Sequence, residues 1–95
     1  AAVGAFTPRM HEIGPALCRH FAELGTVVVD TADAAHEAGD LLQAGLDAGA
    51  FPTLGDVVRG TAAAAQGPVL FKSCGWAGWD LAAARCALRT TPATA

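Results

Sequence analysis

The stretch Thr26-Val27-Val28-Val29-Asp30-Thr31 decides the fold, because it places three β-branched valines in a row before two polar residues. A run that is apolar on both faces is typical of a buried strand in a parallel sheet. A second run of this kind, Val69-Leu70-Phe71, lies further along the chain. Helical patterns separate the two runs, so the sequence predicts an α/β fold with a parallel sheet.

Helices are predicted on both sides of the first strand. Before it, apolar residues recur at helical spacing, which predicts a helix from about Pro15 to the stop at Gly25. After it come two short helical segments, 31–39 and 40–48, and a turn or two of helix that Gly60 closes. These apolar residues are Ile13, Leu17, Phe21 and Leu24 in the first helix, then Leu41, Leu42 and Leu46, then Leu54, Val57 and Val58.

The two ends of the chain follow the same alternation. Residues 3–6 form a short apolar run before Thr7-Pro8, which predicts the end of a strand followed by a helix. Residues 61–67 are compatible with either helix or loop. A final helix is predicted over about 77–88. Its inner face, judged by helical spacing, comprises Trp79, Ala83, Cys86 and Ala87.

Composition excludes several classes of protein. The 95 residues suffice for one small domain or a piece of a larger one, and 53% hydrophobic with 16% charged residues argues against disorder. A net charge of -3 without a basic block argues against nucleic-acid and anionic-membrane partners. No apolar run approaches the ~20 residues that cross a bilayer. Three cysteines without a C-x-x-C spacing favour reduced thiols, so we expect a cytoplasmic protein.

Ligands of parallel sheets collect at the carboxyl ends of the strands. This chain offers three such ends: residues 3–7, Asp30-Thr31 and 72–75. Gly4 and Gly75 would let the backbone approach a ligand, and the Ser73 hydroxyl could bind a carboxamide or a phosphate. Ordinary turn chemistry explains the same glycines equally simply.

Asp30 invites comparison with the acidic residue that binds ribose in dinucleotide folds. No two glycines are two positions apart, so the chain has no G-x-G-x-x-G loop for a pyrophosphate. We therefore predict that Asp30 caps the helix that follows.

Other chemically capable side chains give weaker signals. Cys74 lies in a turn before a helix, where a thiol pKa can be depressed, but no histidine base is evident nearby, so a small structural residue is the alternative. The tryptophans could stack on a ligand or simply pack. The histidines lack metal-ligand spacing and are predicted to lie at the surface or to be partly buried, and no catalytic or metal-binding residue is assigned. These residues are Trp76, Trp79, His11, His20 and His36.

An ordered set of short motifs resembles the C-terminal part of the ornithine cyclodeaminase/mu-crystallin family across nearly the whole chain. No single motif is decisive, and the order and spacing of the set make the resemblance specific. The motifs are Ala2-Val3-Gly4-Ala5-Phe6-Thr7-Pro8-Arg9-Met10-His11-Glu12, Val27-Val28-Val29-Asp30, Glu37-Ala38-Gly39-Asp40, Leu70-Phe71-Lys72-Ser73-Cys74-Gly75 and Asp80-Leu81-Ala82-Ala83-Ala84.

The resemblance implies a partial Rossmann-like three-layer α/β domain with a few parallel strands and flanking helices. Residues 1–95 would be the C-terminal part of an NAD(P)-binding Rossmann domain and the helix after it. The cofactor would be NAD or NADP, bound by Val3, Gly4, Ala5 and Ser73. Family members are dimers, which implies a homodimer or association with the rest of a parent enzyme.

The resemblance also assigns Phe6 and Cys74 to the substrate side. Phe6 falls where ornithine cyclodeaminases carry an acid/base aspartate, and phenylalanine cannot exchange a proton. This favours a ketimine reductase or amino-acid dehydrogenase acting on a small imine or amino acid, with ornithine cyclodeaminase as the alternative. Met10 lies near a position where some members have a basic residue, with Arg9 beside it, so a cofactor-phosphate contact there is in doubt.

Two function classes therefore remain open at the level of sequence. In the first, the chain is a segment of an NAD(P)-dependent enzyme, inactive alone because the glycine-rich loop and the basic residues for the substrate lie upstream. In the second, it is a truncated, non-catalytic interaction module with an exposed apolar surface.

Overall fold

The computed structural model describes residues 1–90. In chain order the elements are α1 (Pro15–Leu24), β1 (Thr26–Val29), α2 (Ala34–Glu37), α3 (Gly39–Gln43), a 3₁₀ turn (Ala48–Ala50), α4 (Leu54–Arg59), β2 (Val69–Lys72) and α5 (Ala77–Thr90). Both predicted strands are confirmed. The helix after residue 14 and the short helix closed by Gly60 also form where they were expected.

The two strands pair in parallel, with Val27 opposite Leu70 and Val29 opposite Lys72. Single parallel bridges extend the sheet on both sides, from Ala2 to Lys72 and from Thr53 to Val29. Among the described residues the sheet thus runs from Ala2 through β2 and β1 to Thr53. This α/β arrangement with a parallel sheet confirms the predicted fold class and is consistent with part of a Rossmann-like domain.

The core cluster joins side chains of both strands with side chains of α2 and α3, and half of its members are alanines. Leu41 and Val29 are the largest of its fully buried apolar groups. Complete burial of one such leucine stabilises the fold by about 1.5–3 kcal/mol. The core residues are Ala2, Val27, Val29, Ala34, Ala38, Leu41, Ala48 and Leu70.

Helix ends follow from local chemistry. Pro15 occupies the first turn of α1, and the Gly25 N–H donates to the Phe21 carbonyl at its other end. At α4, the Thr53 side chain accepts from the Asp56 N–H while the Asp56 carboxylate accepts from the Thr53 N–H. Gly60 then adopts φ +75°, a left-handed conformation that ends the helix.

Several expectations were wrong in detail. Residues 3–6 form no strand beyond the bridge at Ala2, and residues 7–10 form a turn rather than a helix start. For residues 61–67, where both helix and loop had been open, the structure shows a loop. The predicted inner face of α5 is mostly uncovered: Ala83, Cys86 and Ala87 are exposed, and Trp79 alone is half-buried. Helical spacing identifies one face of a helix, but it cannot tell whether anything lies against that face.

Within residues 1–90, no helix is long and apolar enough to cross a membrane.

Candidate functional site

Three segments meet at the carboxyl end of the sheet. Residues 2–6 run beside β2, because the Ala2 N–H donates to the Phe71 carbonyl at 2.9 Å and the Ser73 N–H donates to the Ala2 carbonyl at 2.9 Å. Asp30 follows β1, and residues 72–75 follow β2. We call residues 2–6, Asp30 and residues 72–75 the strand-end cluster. It contains every residue that the sequence predicted to bind cofactor or substrate.

Asp30 joins the ends of the two strands. Its Oδ2 accepts from the Ser73 hydroxyl at 3.0 Å, from the Cys74 N–H at 3.0 Å and from the Gly75 N–H at 2.9 Å. Its Oδ1 accepts from the Thr31 N–H at 2.9 Å, and the residue is almost completely buried. The prediction that Asp30 caps the next helix is therefore wrong, since α2 begins only at Ala34. A carboxylate at a strand end can satisfy distant backbone donors as well as local ones.

The buried Lys72 side chain holds residues 2–6 in place through hydrogen bonds to their carbonyl groups. This side chain is 0% exposed, and its ammonium group donates to the carbonyls of Ala5 at 2.6 Å and Ser73 at 2.9 Å, with the Ala2 carbonyl at 3.4 Å. The Asp40 Oδ1 lies 3.5 Å from the same nitrogen and completes the charge pairing. A buried ammonium needs this set of partners, because each missing one would leave an unsatisfied charged donor.

Asp40 and Glu12 extend this network to the predicted cofactor segment. The Asp40 Oδ2 accepts from the N–H groups of Glu12 at 2.7 Å and Ile13 at 2.8 Å. The Glu12 carboxylate in turn accepts from the N–H groups of Gly4 and Ala5. A side chain at Gly4 would contact that carboxylate, so a larger residue there would require the Glu12 side chain to shift.

The charge on Asp40 is favoured by its surroundings. Burial acts to raise the pKa of Asp40. The N–H donors of Ile13 and Glu12, together with the Lys72 ammonium, outweigh burial and hold the pKa below its ordinary value. The carboxylate therefore stays ionised opposite Lys72 at neutral pH.

The two predicted substrate-side residues have different surroundings. Phe6 is 57% exposed at the edge of the strand-end cluster. Cys74 is half-buried and packs against the core. Burial, reinforced by the negative charges of Asp30, Glu37 and Asp40, raises the pKa of the Cys74 thiol to about 11. The nearby Lys72 ammonium acts to lower this pKa but is outweighed, so the expectation of a depressed pKa is wrong.

The predicted cofactor residues also differ in exposure. Val3 and Gly4 are exposed, Ser73 is half-buried, and Ala5 is buried. Because Ala5 is buried, it contributes through its backbone: its N–H donates to the Glu12 carboxylate, and its carbonyl accepts from the Lys72 ammonium. Val3 and Gly4 are the residues of this segment that, with Phe6, are exposed.

Sequence reasoning missed Lys72, Asp40 and Glu12 as the supports of the cluster. A signal for one of them was present, since a lysine directly after Val69-Leu70-Phe71 puts a charge at the end of a predicted buried strand. Its carboxylate partners could not be chosen from sequence, because they approach only through the tertiary fold.

Other features of the described residues lie apart from the cluster. His11, His20 and His36 are exposed, as expected. Within residues 1–90, no group of three metal-ligating side chains forms. A groove of about 740 Å³ lies near the amino end of β1, and its lining includes Thr26, Phe51 and Gln66 but no residue of the strand-end cluster.

The chain is similar to three curated reductases. The chain is 49% identical over 85 residues to Delta(1)-pyrroline-2-carboxylate reductase 2 of Burkholderia ambifaria. It is 48% identical over 85 residues to Delta(1)-pyrroline-2-carboxylate reductase 1 of Burkholderia multivorans. The same identity, 48% over 85 residues, relates it to the Delta(1)-pyrroline-2-carboxylate/Delta(1)-piperideine-2-carboxylate reductase of Azospirillum brasilense.

Each similarity covers 90% of this chain but 26% of the relative, so the chain spans about a quarter of the length of the curated relatives it matches. No protein-family model and no solved structure matches it. The relatives are members of the family that the sequence motifs resemble. Over 85 residues, the chain is thus similar to one quarter of a Delta(1)-pyrroline-2-carboxylate reductase of the ornithine cyclodeaminase/mu-crystallin family.

Proposed function

We propose that residues 1–95 are part of an NAD(P)H-dependent reductase that acts on a small cyclic imine bearing a carboxylate, of the Delta(1)-pyrroline-2-carboxylate type. The observation that carries this proposal is the 48–49% identity to three such reductases over 85 residues. In this proposal the chain supplies the C-terminal part of the cofactor-binding domain and the following helix. The rest of a longer polypeptide supplies the dinucleotide loop and the groups that bind the substrate carboxylate.

The reaction is the reduction of a carbon–nitrogen double bond. The nicotinamide cofactor supplies a hydride when bound. The imine carbon gains that hydride, the ring nitrogen gains a proton, and the product is the saturated cyclic amino acid. A reductase of this kind needs an apolar, ordered surface beside the nicotinamide ring, and it needs no carboxylate at the position of Phe6.

The strand-end cluster fits the uncharged nicotinamide end of such a cofactor better than its pyrophosphate. Lys72 is the cationic residue of the strand-end cluster, but its ammonium group is buried and already bonded to backbone carbonyls and paired with Asp40, so it is not available to a phosphate. The nearby carboxylates of Asp30 and Glu12 would repel phosphate. The N–H groups of Gly4 and Ala5, which could otherwise bind a phosphate, already donate to Glu12.

Each group in the cluster then has a defined task. Val3 and Gly4 would lie beside the ring, and Glu12 and Lys72 hold the neighbouring Ala5 backbone in place. Phe6 lines the substrate side and limits access of water there. Cys74 stays a neutral thiol near neutral pH, because its pKa is about 11. It therefore acts as a small neutral neighbour of the substrate rather than as a nucleophile or base.

Ornithine cyclodeamination is the weaker alternative. The exposed phenyl group at Phe6 stands where the resemblance implies an acid/base aspartate, and it can neither take a proton nor pair with an ammonium group. Replacing it offers a sharp comparison, since Phe6→Asp restores the carboxylate while Phe6→Leu keeps the side chain apolar.

A non-catalytic interaction module is a second candidate, and the surface of α5 is the observation that favours it. Trp76, Leu81 and Leu88 are exposed on or beside this helix, within the part of the chain that the structure describes. In an enzyme the same surface would contact another part of the longer polypeptide or a second subunit of a homodimer. We expect a cytoplasmic protein in either case.

The test uses the complete polypeptide whose reading frame contains these residues. We expect it to oxidise NADH or NADPH when Delta(1)-pyrroline-2-carboxylate or its six-membered homologue is added, and to release no ammonia from ornithine. The native mass, measured in parallel, reports whether a dimer forms. Absence of imine reduction with either cofactor would refute the reductase, and ammonia release from ornithine would favour the alternative enzyme.

A further inference from the structure

We infer that Asp30 is a positioning residue that makes the Ser73 hydroxyl a hydrogen-bond acceptor for an N–H group of the bound ligand, and that Ser73 does not bind phosphate. This inference rests on the proposed function and deepens it. The juxtaposition that carries it is the contact of 3.0 Å between the Ser73 hydroxyl and Asp30 Oδ2.

The direction of that hydrogen bond follows from the other partners of Asp30. Its Oδ2 also accepts from the backbone N–H groups of Cys74 and Gly75, and its Oδ1 accepts from that of Thr31. Backbone N–H groups only donate, so both oxygens of Asp30 act as acceptors in these contacts. The Ser73 hydroxyl must therefore be the donor in its contact with Asp30.

A serine hydroxyl has one hydrogen to donate and two lone pairs to accept with. Since Asp30 takes the hydrogen, only the acceptor capacity of Ser73 remains for a ligand. Phosphate and carboxylate oxygens at neutral pH are acceptors, and they would meet both a lone pair of Ser73 and the negative charge of Asp30. An N–H group meets neither obstacle, and the carboxylate behind the hydroxyl strengthens its acceptor oxygen.

The proposed reaction offers two sources of such an N–H group. One is the carboxamide of nicotinamide, and the other is the ring nitrogen of the protonated imine. Both would stand at the carboxyl end of the sheet, where Ser73 is half-buried and not sealed off. Paired ligands that differ only in the N–H group can separate these two sources.

The first pair is NADH and its 3-acetylpyridine analogue, which replaces the carboxamide nitrogen by a methyl group. The second pair is pyrrole-2-carboxylate, which has a ring N–H, and furan-2-carboxylate, which has a ring oxygen. Dissociation constants are measured for the complete polypeptide and for Ser73→Ala. A neutral hydrogen bond corresponds to about a 3- to 10-fold preference for the N–H ligand in the parent protein. We expect Ser73→Ala to erase that preference in one pair.

Two controls separate this role from a purely structural one. Ser73→Thr keeps the hydroxyl and should keep the preference. Thr26→Val removes a hydroxyl at the opposite end of β1, where Thr26 contacts the backbone of Gln66, and should leave every ligand preference unchanged. A general loss of stability would weaken both members of a pair equally.

ADP-ribose, which has the pyrophosphate but no nicotinamide, tests the phosphate contact. Its affinity should not change in Ser73→Ala. Weakening of ADP-ribose in that variant, or an unchanged N–H preference in both ligand pairs, would overturn the inference while leaving the reductase proposal intact. Failure of the parent protein to bind any dinucleotide would overturn both.

Discussion

Lys72→Met tests whether one buried ammonium group holds the strand-end cluster together. Methionine keeps much of the length and apolar volume of the lysine but removes its charge and its hydrogen bonds. The carbonyls of Ala5 and Ser73 lose donors at 2.6 and 2.9 Å, and the Asp40 carboxylate loses the ammonium group 3.5 Å away. Breaking one side of a buried ion pair costs about 3–5 kcal/mol, because the other charge stays buried without compensation.

A double-mutant cycle isolates the part of this cost that arises from the charge on Asp40. Asp40→Asn keeps an oxygen for the N–H groups of Glu12 and Ile13 but leaves the buried Lys72 ammonium without its carboxylate, so we expect it also to cost about 3–5 kcal/mol alone. In the double variant no uncompensated charge remains. Its cost should therefore fall short of the sum of the two single variants by about 1–3 kcal/mol.

The free energy of unfolding is measured by denaturant titration of the folded polypeptide that carries these residues, extrapolated to water. Arg59→Met is the matched control: its partner Asp56 lies at 2.9 Å, but the side chains are 65% and 37% exposed. That variant should lose less than about 1 kcal/mol. A loss below about 1 kcal/mol in Lys72→Met, or strict additivity in the cycle, would refute the reasoning.

Three further predictions use the same measurements or simple chemistry. Thr53→Ala removes the side chain that caps α4 and should lower the free energy of unfolding by about 1 kcal/mol, with a loss near zero contradicting the capping role. Gly39→Ala places a methyl group against the Met10 carbonyl and should lower the free energy of unfolding by about 1–3 kcal/mol. Gly14→Ala is the control, because a methyl group there meets nothing within 4 Å and should lower that free energy far less. Equal losses in the two variants would argue against the close contact at Gly39. The Cys74 thiol, with a pKa near 11, should be alkylated by iodoacetamide with a pH midpoint well above that of an ordinary thiol at about 8.5, as followed by peptide mass spectrometry, and a midpoint at or below 8.5 would contradict its burial. Because its pKa is raised in the fold, its contribution to stability is present below about pH 8.5 and lost as the pH rises toward 11.

Elements with a strong local pattern were predictable from sequence. The β-branched run at Val27–Val29 and the apolar spacing before Gly25 determine a strand and a helix by themselves, and both form as expected. Their alternation also fixes the parallel arrangement, which brings residues 3–6 and Ser73 to one edge of the sheet. Local chemistry sufficed for the strand and the helix, because each depends on neighbours within a few residues.

The roles of the charged residues were not predictable in this way. Asp30 before a helical segment satisfies the local rule for a cap equally well, and only the position of residues 73–75 shows which donors it meets. Cys74 is a similar case, since its place before a helix predicts a lowered pKa while burial raises it. Tertiary burial and long-range partners decide both outcomes, and a sequence pattern carries neither.

The parallel pairing of β1 and β2 has a consequence for synthesis of the chain. Asp30 and Ser73, which bond to each other at the strand ends, lie 43 positions apart. At about 5–20 residues per second, a ribosome needs roughly 2–9 seconds to add that length. During this time the apolar residues 27–29 have been synthesised, but β2, with which they pair in the fold, has not. Slow translation of residues 31–68 would prolong that interval, and chaperone binding to the nascent chain should be greatest within it.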